Sequence, residues 1–195
     1  MGSSGLVGAV RILGCCLAVL VLLATGGCSS LKTVEMWQKP AAQTHRYQKI
    51  MILGVNRNEN LRKLFENIVV GELGRHGVVA VAGHTYIPDM DKTSLDAIVA
   101  AVRAAGCDAV LTTRPQSVGD NKVTQGGEKG SIYGAGARNA YDFLSATLQT
   151  SLYDSATQEM VWSATVKTFD ADREVRVSRE LAAFFFENLR RDGFL

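Results

Sequence analysis

Hydrophobic and polar residues change their spacing several times along the chain, and each spacing is typical of a different element. Short apolar runs at 49–55, 78–82 and 109–113 predict buried strands. Between these runs, apolar residues recur every three or four positions at 61–73 and 95–102, as they do on one face of a helix. The resulting order β-α-β-α-β favours a parallel sheet.

The two predicted helices carry recognisable end signals. Asn58 offers an N-cap for the first helix, and a glycine, Gly77, follows its expected end at Arg75. Thr93 and Asp96 have the spacing of a capping box for the second helix, with Asp in place of the usual Glu. The positions expected to face the core are Leu61, Leu64, Phe65, Ile68 and Leu73 in the first helix, and Leu95, Ile98, Val99 and Val102 in the second.

The second half of the chain has a different pattern. Apolar and polar residues alternate at 144–152 and 160–167, which predicts two half-buried strands joined into an antiparallel hairpin by a turn at 154–159. A last helix is expected over 173–191, with Gly193 as its stop and with Leu181, Phe185 and Leu189 facing inward. The predicted fold class is therefore α/β with an α+β tendency: one mixed sheet, β-α-β-α-β, followed by an antiparallel hairpin and a C-terminal helix.

Residues 115–141 are rich in glycine and polar side chains and predict a long surface loop, with a weak hairpin around 131–133. Lys122, Lys129 and Arg138 could make this loop a contact surface for an anionic or protein partner. A merely solvated loop is the alternative.

Composition and motifs exclude several classes of partner. The chain is 47% hydrophobic and 21% charged with a net charge of +2, which argues against both disorder and nucleic-acid binding. The glycines at 127–131 have the wrong order for a P-loop, and those at 134–139 lack the third glycine of a dinucleotide fingerprint. No nucleotide is expected to bind.

The charged residues are unevenly placed, because all except Arg11 lie after residue 27. The 16 uncharged residues from Ile12 to Gly27 are fewer than the roughly 20 that span a bilayer. A single positive charge, an apolar run and then small residues indicate a signal peptide over 1–27.

Small residues at 24–27 stand directly before Cys28 and are followed by Ser29 and Ser30. This stretch resembles the lipobox of bacterial lipoproteins. The resemblance implies that a diacylglycerol is attached to the Cys28 sulfur and that the chain is cut just before it. Ser29, in place of the Asp that favours inner-membrane retention, implies the periplasmic face of the outer membrane. The alternative is an ordinary secretory signal with an incidental cysteine nearby.

Cleavage before Cys28 would leave a mature chain of 168 residues. We expect residues 28–48 to be the lipidated cysteine and a tether, in which Val34, Met36 and Trp37 could pack on the domain edge as a short strand. Residues 49–195 are expected to form one α/β envelope domain.

The segments 49–55, 106–111, 152–157 and 161–164 look like those of short bacterial envelope lipoproteins of unknown function. The domain of those proteins is similar to the amino-terminal domain of TolB and to the curli-secretion lipoprotein. The resemblance lies in strand–turn–strand motifs and carries over no catalytic residue. The segment 115–141 is too short and polar for the pair of membrane hairpins that curli-secretion lipoproteins use to build a pore.

Few residues suggest chemistry. Cys107 is the cysteine left once the signal is removed and Cys28 is lipidated, and we interpret it as a small buried residue rather than a nucleophile. His84, Asp89 and Asp91 could form a small metal site, although a polar loop is the simpler interpretation. His76 suits the C-terminal end of a helix. We therefore predict no catalytic residue, no cofactor and no metal.

The three consecutive rings of Phe184, Phe185 and Phe186 cover more than one face of their helix. At least one ring needs a further partner, which could be the tether, the chain terminus or another protein. The ring of Trp37 in the tether needs a packing partner for the same reason.

The predicted function is that of a non-enzymatic, lipid-anchored envelope protein acting through protein–protein contacts. Its partners would be the membrane, through lipid at Cys28, and an envelope protein or further copies of the chain. One alternative is a subunit of an oligomeric secretion or envelope-assembly complex. Another is a periplasmic hydrolase or ligand-binding protein.

Overall fold

The computed structural model describes residues 31–40, 46–90, 92–122, 142–169 and 173–195. In chain order these residues form β1 (Leu31–Gln38), β2 (Lys49–Gly54), α1 (Glu59–Arg75), β3 (Val79–Ala82), a 3₁₀ turn (Gly83–Thr85), α2 (Leu95–Ala104), β4 (Ala109–Lys122), β5 (Asp142–Asp154), β6 (Met160–Thr168) and α3 (Glu174–Arg191). None of the helices in these ranges combines the length and apolar character needed to cross a membrane.

All six strands belong to one mixed sheet with the order β1-β6-β5-β4-β2-β3. β2 pairs in parallel with both β3 and β4, while β4, β5, β6 and β1 pair antiparallel in succession. This arrangement confirms the predicted fold class: the β-α-β-α-β unit supplies the parallel half, and the hairpin of β5 and β6 extends it.

The end signals of the first helix behave as predicted, and those of the second are displaced by one residue. The Asn58 side chain accepts hydrogen bonds from the backbone N–H groups at the start of α1, and Gly77 adopts a left-handed φ of +78° after its end. The N-cap of α2 is Ser94, whose hydroxyl accepts from the N–H of Ala97 at 3.2 Å. Thr93 instead donates its hydroxyl hydrogen to the Asp89 carbonyl, so the Thr93–Asp96 capping box was wrong.

Part of the segment expected to be a tether belongs to the sheet. Residues 31–38 form β1, which pairs antiparallel with β6 along the sheet edge and packs Leu31 and Met36 against the core. A bulge between Thr33 and Glu35 shifts the register. Because a bulge interrupts the two-residue alternation, this strand shows little periodicity in the sequence.

The predicted loop over 115–141 is corrected at its start. β4 continues to Lys122 and stays paired with β5 over that length. Pro115 has no N–H to donate, and it lies where the register shifts between Pro115 and Ser117. Residues 123–141, including Lys129 and Arg138, lie outside the described residues.

The main core lies between one face of the sheet and the helices α1 and α3. Its largest buried side chains include Trp162, Phe185 and Phe194. The other two phenylalanines are partly buried against the same core: Phe184 packs edge-on against Phe185, and Phe186 stacks on His76 with ring centroids 4.0 Å apart. The chain therefore supplies partners for all three consecutive rings.

The two tryptophans of the chain make a matched test of this core. Trp162 is fully buried and donates its indole N–H to Asp192 at 3.0 Å, whereas Trp37 on β1 is 42% exposed. Trp162→Ala should lower the free energy of unfolding by about 3–5 kcal/mol, because it opens a cavity that the core cannot fill. Trp37→Ala should cost less than about 1 kcal/mol. Urea unfolding followed by far-ultraviolet circular dichroism measures both, and equal losses would contradict this account of the core.

Candidate functional site

A buried ionic cluster lies where β2 ends and α1 begins. Its members are Arg62 and Glu66 on α1 and His84 in the 3₁₀ turn after β3. The side chains of Arg62 and Glu66 are completely inaccessible to solvent. In a sheet with parallel strands, the carboxyl ends of the strands are the usual place for a functional site, so this cluster is the first candidate.

The Glu66 carboxylate joins three elements. Its Oε1 accepts the backbone N–H of Gly54 at 2.9 Å, and its Oε2 accepts the backbone N–H of His84 at 2.6 Å. The same Oε2 lies 2.8 Å from His84 Nδ1. Both carboxylate oxygens are therefore engaged within the fold, by two backbone N–H groups and the His84 ring.

Arg62 is held by charge and by a backbone carbonyl. Its Nε and Nη2 donate to Glu59 Oε2 at 3.0 and 2.8 Å, and Nη2 also donates to the Ile87 carbonyl at 2.7 Å. The hydrogen bond from Arg62 holds the pKa of Glu59 below its usual value. Arg62 Nη1 lies 3.6 Å from Glu66 Oε1 and is buried without a hydrogen bond.

A glycine permits the close approach of the 3₁₀ turn. A Cβ atom added to Gly83 would lie 2.7 Å from Leu53 Cδ1 and 3.0 Å from the Ile52 carbonyl oxygen. A larger residue would push the turn away from β2 and lengthen the bonds between Glu66 and His84.

The sequence does not single out this cluster, because only apolar side chains were expected on the buried face of α1. Leu73 is buried as predicted and Phe65 packs against the core. Leu64 was expected to face inward and is exposed, whereas the buried positions of α1 are Arg62, Glu66, Val69 and Leu73. The spacing of these four is still helical, but two of them are charged. An Arg–Glu pair four residues apart was the available signal, and such pairs are far more common on solvated faces.

The residues singled out earlier for chemistry do not come together as a site. His84 turns toward Glu66, and Asp89 pairs with Lys92 at 2.8 Å, while Asp91 lies outside the described residues. Within the ranges that the structure describes, no group of three or more His, Cys, Asp or Glu side chains could hold a metal ion. His76 caps the C-terminal end of α1, as its position suggested.

The structure describes one of the two cysteines considered above, Cys107, and does not describe the other, Cys28. Cys107 is buried, and this burial raises the pKa of its thiol, so the reactive thiolate form is disfavoured. Cys28 lies outside the described residues, and its lipidation stays a prediction.

A second candidate is a groove on the opposite face of the sheet, with a volume of about 640 Å³. Its floor consists of three cross-strand pairs of β4 and β5, and α2 forms one wall. One end is lined by Ser155 and Gln158 of the β5–β6 turn and by Met160, the first residue of β6. We call this feature the open-face groove; the floor residues are Val110, Thr112 and Arg114 on β4, and Tyr153, Ser151 and Gln149 opposite them on β5.

Helix α2 does not bury its whole apolar stripe on the sheet. Val102 is buried as predicted, but Leu95 is 71% exposed and lies on the rim of the groove. Ile98 and Val99 also line the groove and are half-buried. The expectation that Leu95 faces the core was therefore wrong, because the first turn of α2 stands over the groove.

The groove contains one acidic side chain, Asp154, whose charge is used within the turn. Its Oδ1 accepts N–H hydrogen bonds from Ala156 and Thr157 at 2.9 and 2.8 Å, and its Oδ2 accepts the Tyr47 hydroxyl at 3.1 Å. Burial pushes the pKa of Asp154 up, but these hydrogen bonds outweigh burial and hold the pKa below its usual value.

Comparisons with known proteins show distant likenesses. No family model and no curated protein sequence matches the chain. Similar solved structures include the PelC dodecamer from Paraburkholderia phytofirmans, at 14% identity and a TM-score of 0.47, over 85% of this chain and 99% of that chain. Another is lipoprotein GNA1162 from Neisseria meningitidis, at 12% identity and a TM-score of 0.40, over 73% of this chain and 98% of that chain. At this distance the function has to be argued from the residues of this chain.

Two glutamates on α1 test whether the buried cluster supports the fold. Glu66→Gln should lower the free energy of unfolding by about 3–5 kcal/mol, because an amide NH2 cannot accept one of the two backbone N–H bonds that the carboxylate accepts, and because Arg62 loses one of its two carboxylate neighbours. Glu72 also pairs with arginines, Arg75 and Arg179, but these lie at the surface. Glu72→Gln should cost less than about 1 kcal/mol. Urea unfolding of both variants decides, and a loss for Glu66→Gln no larger than that for Glu72→Gln would refute the structural role.

Proposed function

We propose that the chain is a lipid-anchored protein of the cell envelope, held at the periplasmic face of the outer membrane by lipid on Cys28. In this proposal it acts through contacts with other proteins rather than by catalysis. The observation that carries the proposal is the run of small residues directly before Cys28, followed by Ser29 and Ser30. No disulfide within the chain could involve Cys107 once Cys28 is lipidated and the signal removed, so packing would have to hold the domain together.

The start of β1 determines how closely such an anchor would hold the domain. Ser29 and Ser30 are the two residues between Cys28 and the first strand residue, Leu31. At no more than about 3.6 Å per residue, Leu31 would lie within about 11 Å of Cys28. The lipid would thus be attached almost directly to an edge strand, with no long flexible tether between membrane and sheet.

The edge strand can transmit this attachment to the rest of the domain. β1 pairs with β6 from Leu31↔Thr168 to Gln38↔Trp162, and the backbone N–H of Lys39 continues the contact by donating to the Val161 carbonyl at 2.9 Å. Several acyl chains, each contributing about 0.8 kcal/mol per buried CH₂, would then hold the whole sheet at the membrane.

A non-enzymatic role is supported by the way the fold uses its reactive groups. The Glu66 carboxylate is fully engaged by Gly54 and His84, and the Cys107 thiol is buried. Each of these groups stabilises the fold locally, and neither faces the open-face groove as a nucleophile or base.

Replacing the proposed lipid attachment site tests the anchor. Cys28→Ser in the full chain should abolish incorporation of radiolabelled palmitate and leave a larger precursor, because lipid transfer precedes signal cleavage in lipoproteins of this type. Globomycin blocks only the later cleavage step, so it should cause a precursor of the same length that still carries the palmitate label to accumulate from the unaltered chain. Cys107→Ser is the matched control and should keep both label and size. Labelling that survives Cys28→Ser would overturn the anchor.

The same experiment can test the membrane in which the protein resides. Ser29→Asp should move the lipidated protein from the outer-membrane to the inner-membrane fraction of a sucrose gradient, with palmitate labelling unchanged. A lipidated protein that stays in one fraction regardless of residue 29 would contradict the proposed sorting while leaving the anchor intact.

A second copy of the chain is the protein partner that one observation favours. Within the described residues β1 is an edge strand paired on one side, and it exposes 61% of Val34 together with Trp37. An exposed edge with apolar side chains is a common surface for strand pairing between chains.

Two valines at opposite edges of the sheet test this partner. Light scattering on the lipidated protein in detergent should give a multiple of the monomer mass, and Val34→Lys should reduce it to the monomer. Val79 on the other edge strand, β3, is similarly exposed at 56%, so Val79→Lys is the control that should leave the oligomer unchanged. A monomer in the unaltered protein would refute self-association through β1.

A further inference from the structure

The floor of the open-face groove changes in polarity from one end to the other. The pair Val110↔Tyr153 lies at the end near the β5–β6 turn, Thr112↔Ser151 lies in the middle, and Arg114↔Gln149 lies at the far end. Because alternate residues of a strand share a face, the floor spans about 13 Å from Val110 to Arg114. It therefore runs from apolar and aromatic to charged over a distance suited to a small amphiphile.

The wall of the groove is apolar along most of this length. Helix α2 contributes Leu95, Ile98 and Val99, and Val55 after β2 contributes a further exposed apolar side chain. Removing these surfaces from water favours an apolar occupant. The volume of about 640 Å³ is within the range of roughly 300–1,000 Å³ typical of sites for small molecules.

Within the part of the chain that the structure describes, the positive charge at one end of the groove has no acidic partner. Arg114 donates from Nε and Nη2 to the Gln149 side-chain oxygen at 3.0 and 2.6 Å, which orients the guanidinium but does not neutralise it. Among the residues that the structure describes, no carboxylate forms an ion pair with Arg114. The Asp154 carboxylate at the other end is already satisfied by the turn and by Tyr47.

We propose that the open-face groove binds a medium-chain fatty acid. The carboxylate of the ligand accepts hydrogen bonds from the Arg114 guanidinium and from the Gln149 side-chain amide, whose oxygen is already used by Arg114. The alkyl chain lies between α2 and the strands, with its methyl end near Val110 and Tyr153. This inference does not depend on lipidation of Cys28.

The floor of the groove distinguishes this ligand from a peptide strand. β4 and β5 lie inside the sheet, so their backbone N–H and C=O groups between Val110 and Thr113 are already used by neighbouring strands. A bound peptide would find no free strand edge over these residues for main-chain pairing; among the described residues, β4 lacks its β2 neighbour only beyond Thr113, at the charged end of the groove. A single guanidinium also matches a monoanion better than a phosphate dianion, which would need further donors.

Photolabelling of the full chain in isolated membranes tests the proposal. The probe is dodecanoate carrying a diazirine near its methyl end and an alkyne for detection, used without ATP or coenzyme A so that no enzymatic acylation occurs. We expect saturable labelling that requires irradiation and that maps to peptides of α2 and to the Val110 end of β4. Arg114→Ala should raise the concentration for half-maximal labelling about tenfold, because a charge-assisted hydrogen bond is lost.

The control variants and competitors distinguish the effect of the Arg114 charge from the effects of groove volume and of unfolding. Arg179→Ala removes an exposed arginine from α3 on the opposite face of the sheet, and it should leave labelling unchanged. Val99→Trp should block labelling by filling the groove, while resistance to limited proteolysis shows that each variant folds. Unlabelled dodecanoate should compete for the site, and dodecanol should compete about tenfold less well.

Several outcomes would overturn the proposal. Labelling that does not saturate, that maps elsewhere or that is indifferent to Arg114→Ala would show that the groove holds no fatty acid. Equal competition by dodecanol would remove the role of the charge. Displacement of the probe by an amphipathic peptide at lower concentrations than dodecanoate would make the groove a protein-docking surface instead.

Discussion

A helix is about 10 Å wide and neighbouring strands lie about 4.8 Å apart, so one helix covers about two strands. The number of helices on each face therefore limits how much of the sheet is covered. The described residues place six strands in one sheet and only three helices on its two faces. With α1 and α3 on one face, Trp162 and Phe185 are fully buried there. Among the described helices, α2 alone lies on the other face, so the antiparallel half of that face is lined by residues such as Thr112 and Ser151. The open-face groove lies at the boundary between covered and uncovered sheet.

On the covered face, buried charged side chains help to pack α1 against the sheet. Burying Arg62 and Glu66 is costly unless each finds partners, and here the partners come from β2, the 3₁₀ turn and the segment after it. Glu66 therefore joins the first helix to the ends of two parallel strands. We interpret the cluster as a structural contact that holds α1 on the sheet, and this interpretation leaves the open-face groove as the candidate site for a small molecule.

The register of the sheet relates the proposed anchor to the groove. Leu31 pairs with Thr168, Thr168 with Ala146, and Ala146 with Val118. The start of β1 thus lies at the same end of the sheet as the later part of β4, beyond Arg114. If lipid at Cys28 holds that end at the membrane, the charged end of the groove is its membrane-proximal end, and a fatty acid would enter with its carboxylate toward the bilayer surface.

Features that depend on local chemistry could be predicted from the sequence: the Asn58 cap, the alternation that forms β5 and β6, the fold class and the small residues before Cys28. Features that depend on distant partners are established only when the elements pack together. A short edge strand was expected around Val34, Met36 and Trp37, but its extent, its bulge and its register depend on pairing with β6. Arg62 and Glu66 look like solvated charges until β2 and the 3₁₀ turn surround them. Arg114 and Gln149 are 35 positions apart, and they meet only because β4 and β5 pair in one register. Local patterns specify elements, whereas contacts between elements specify sites.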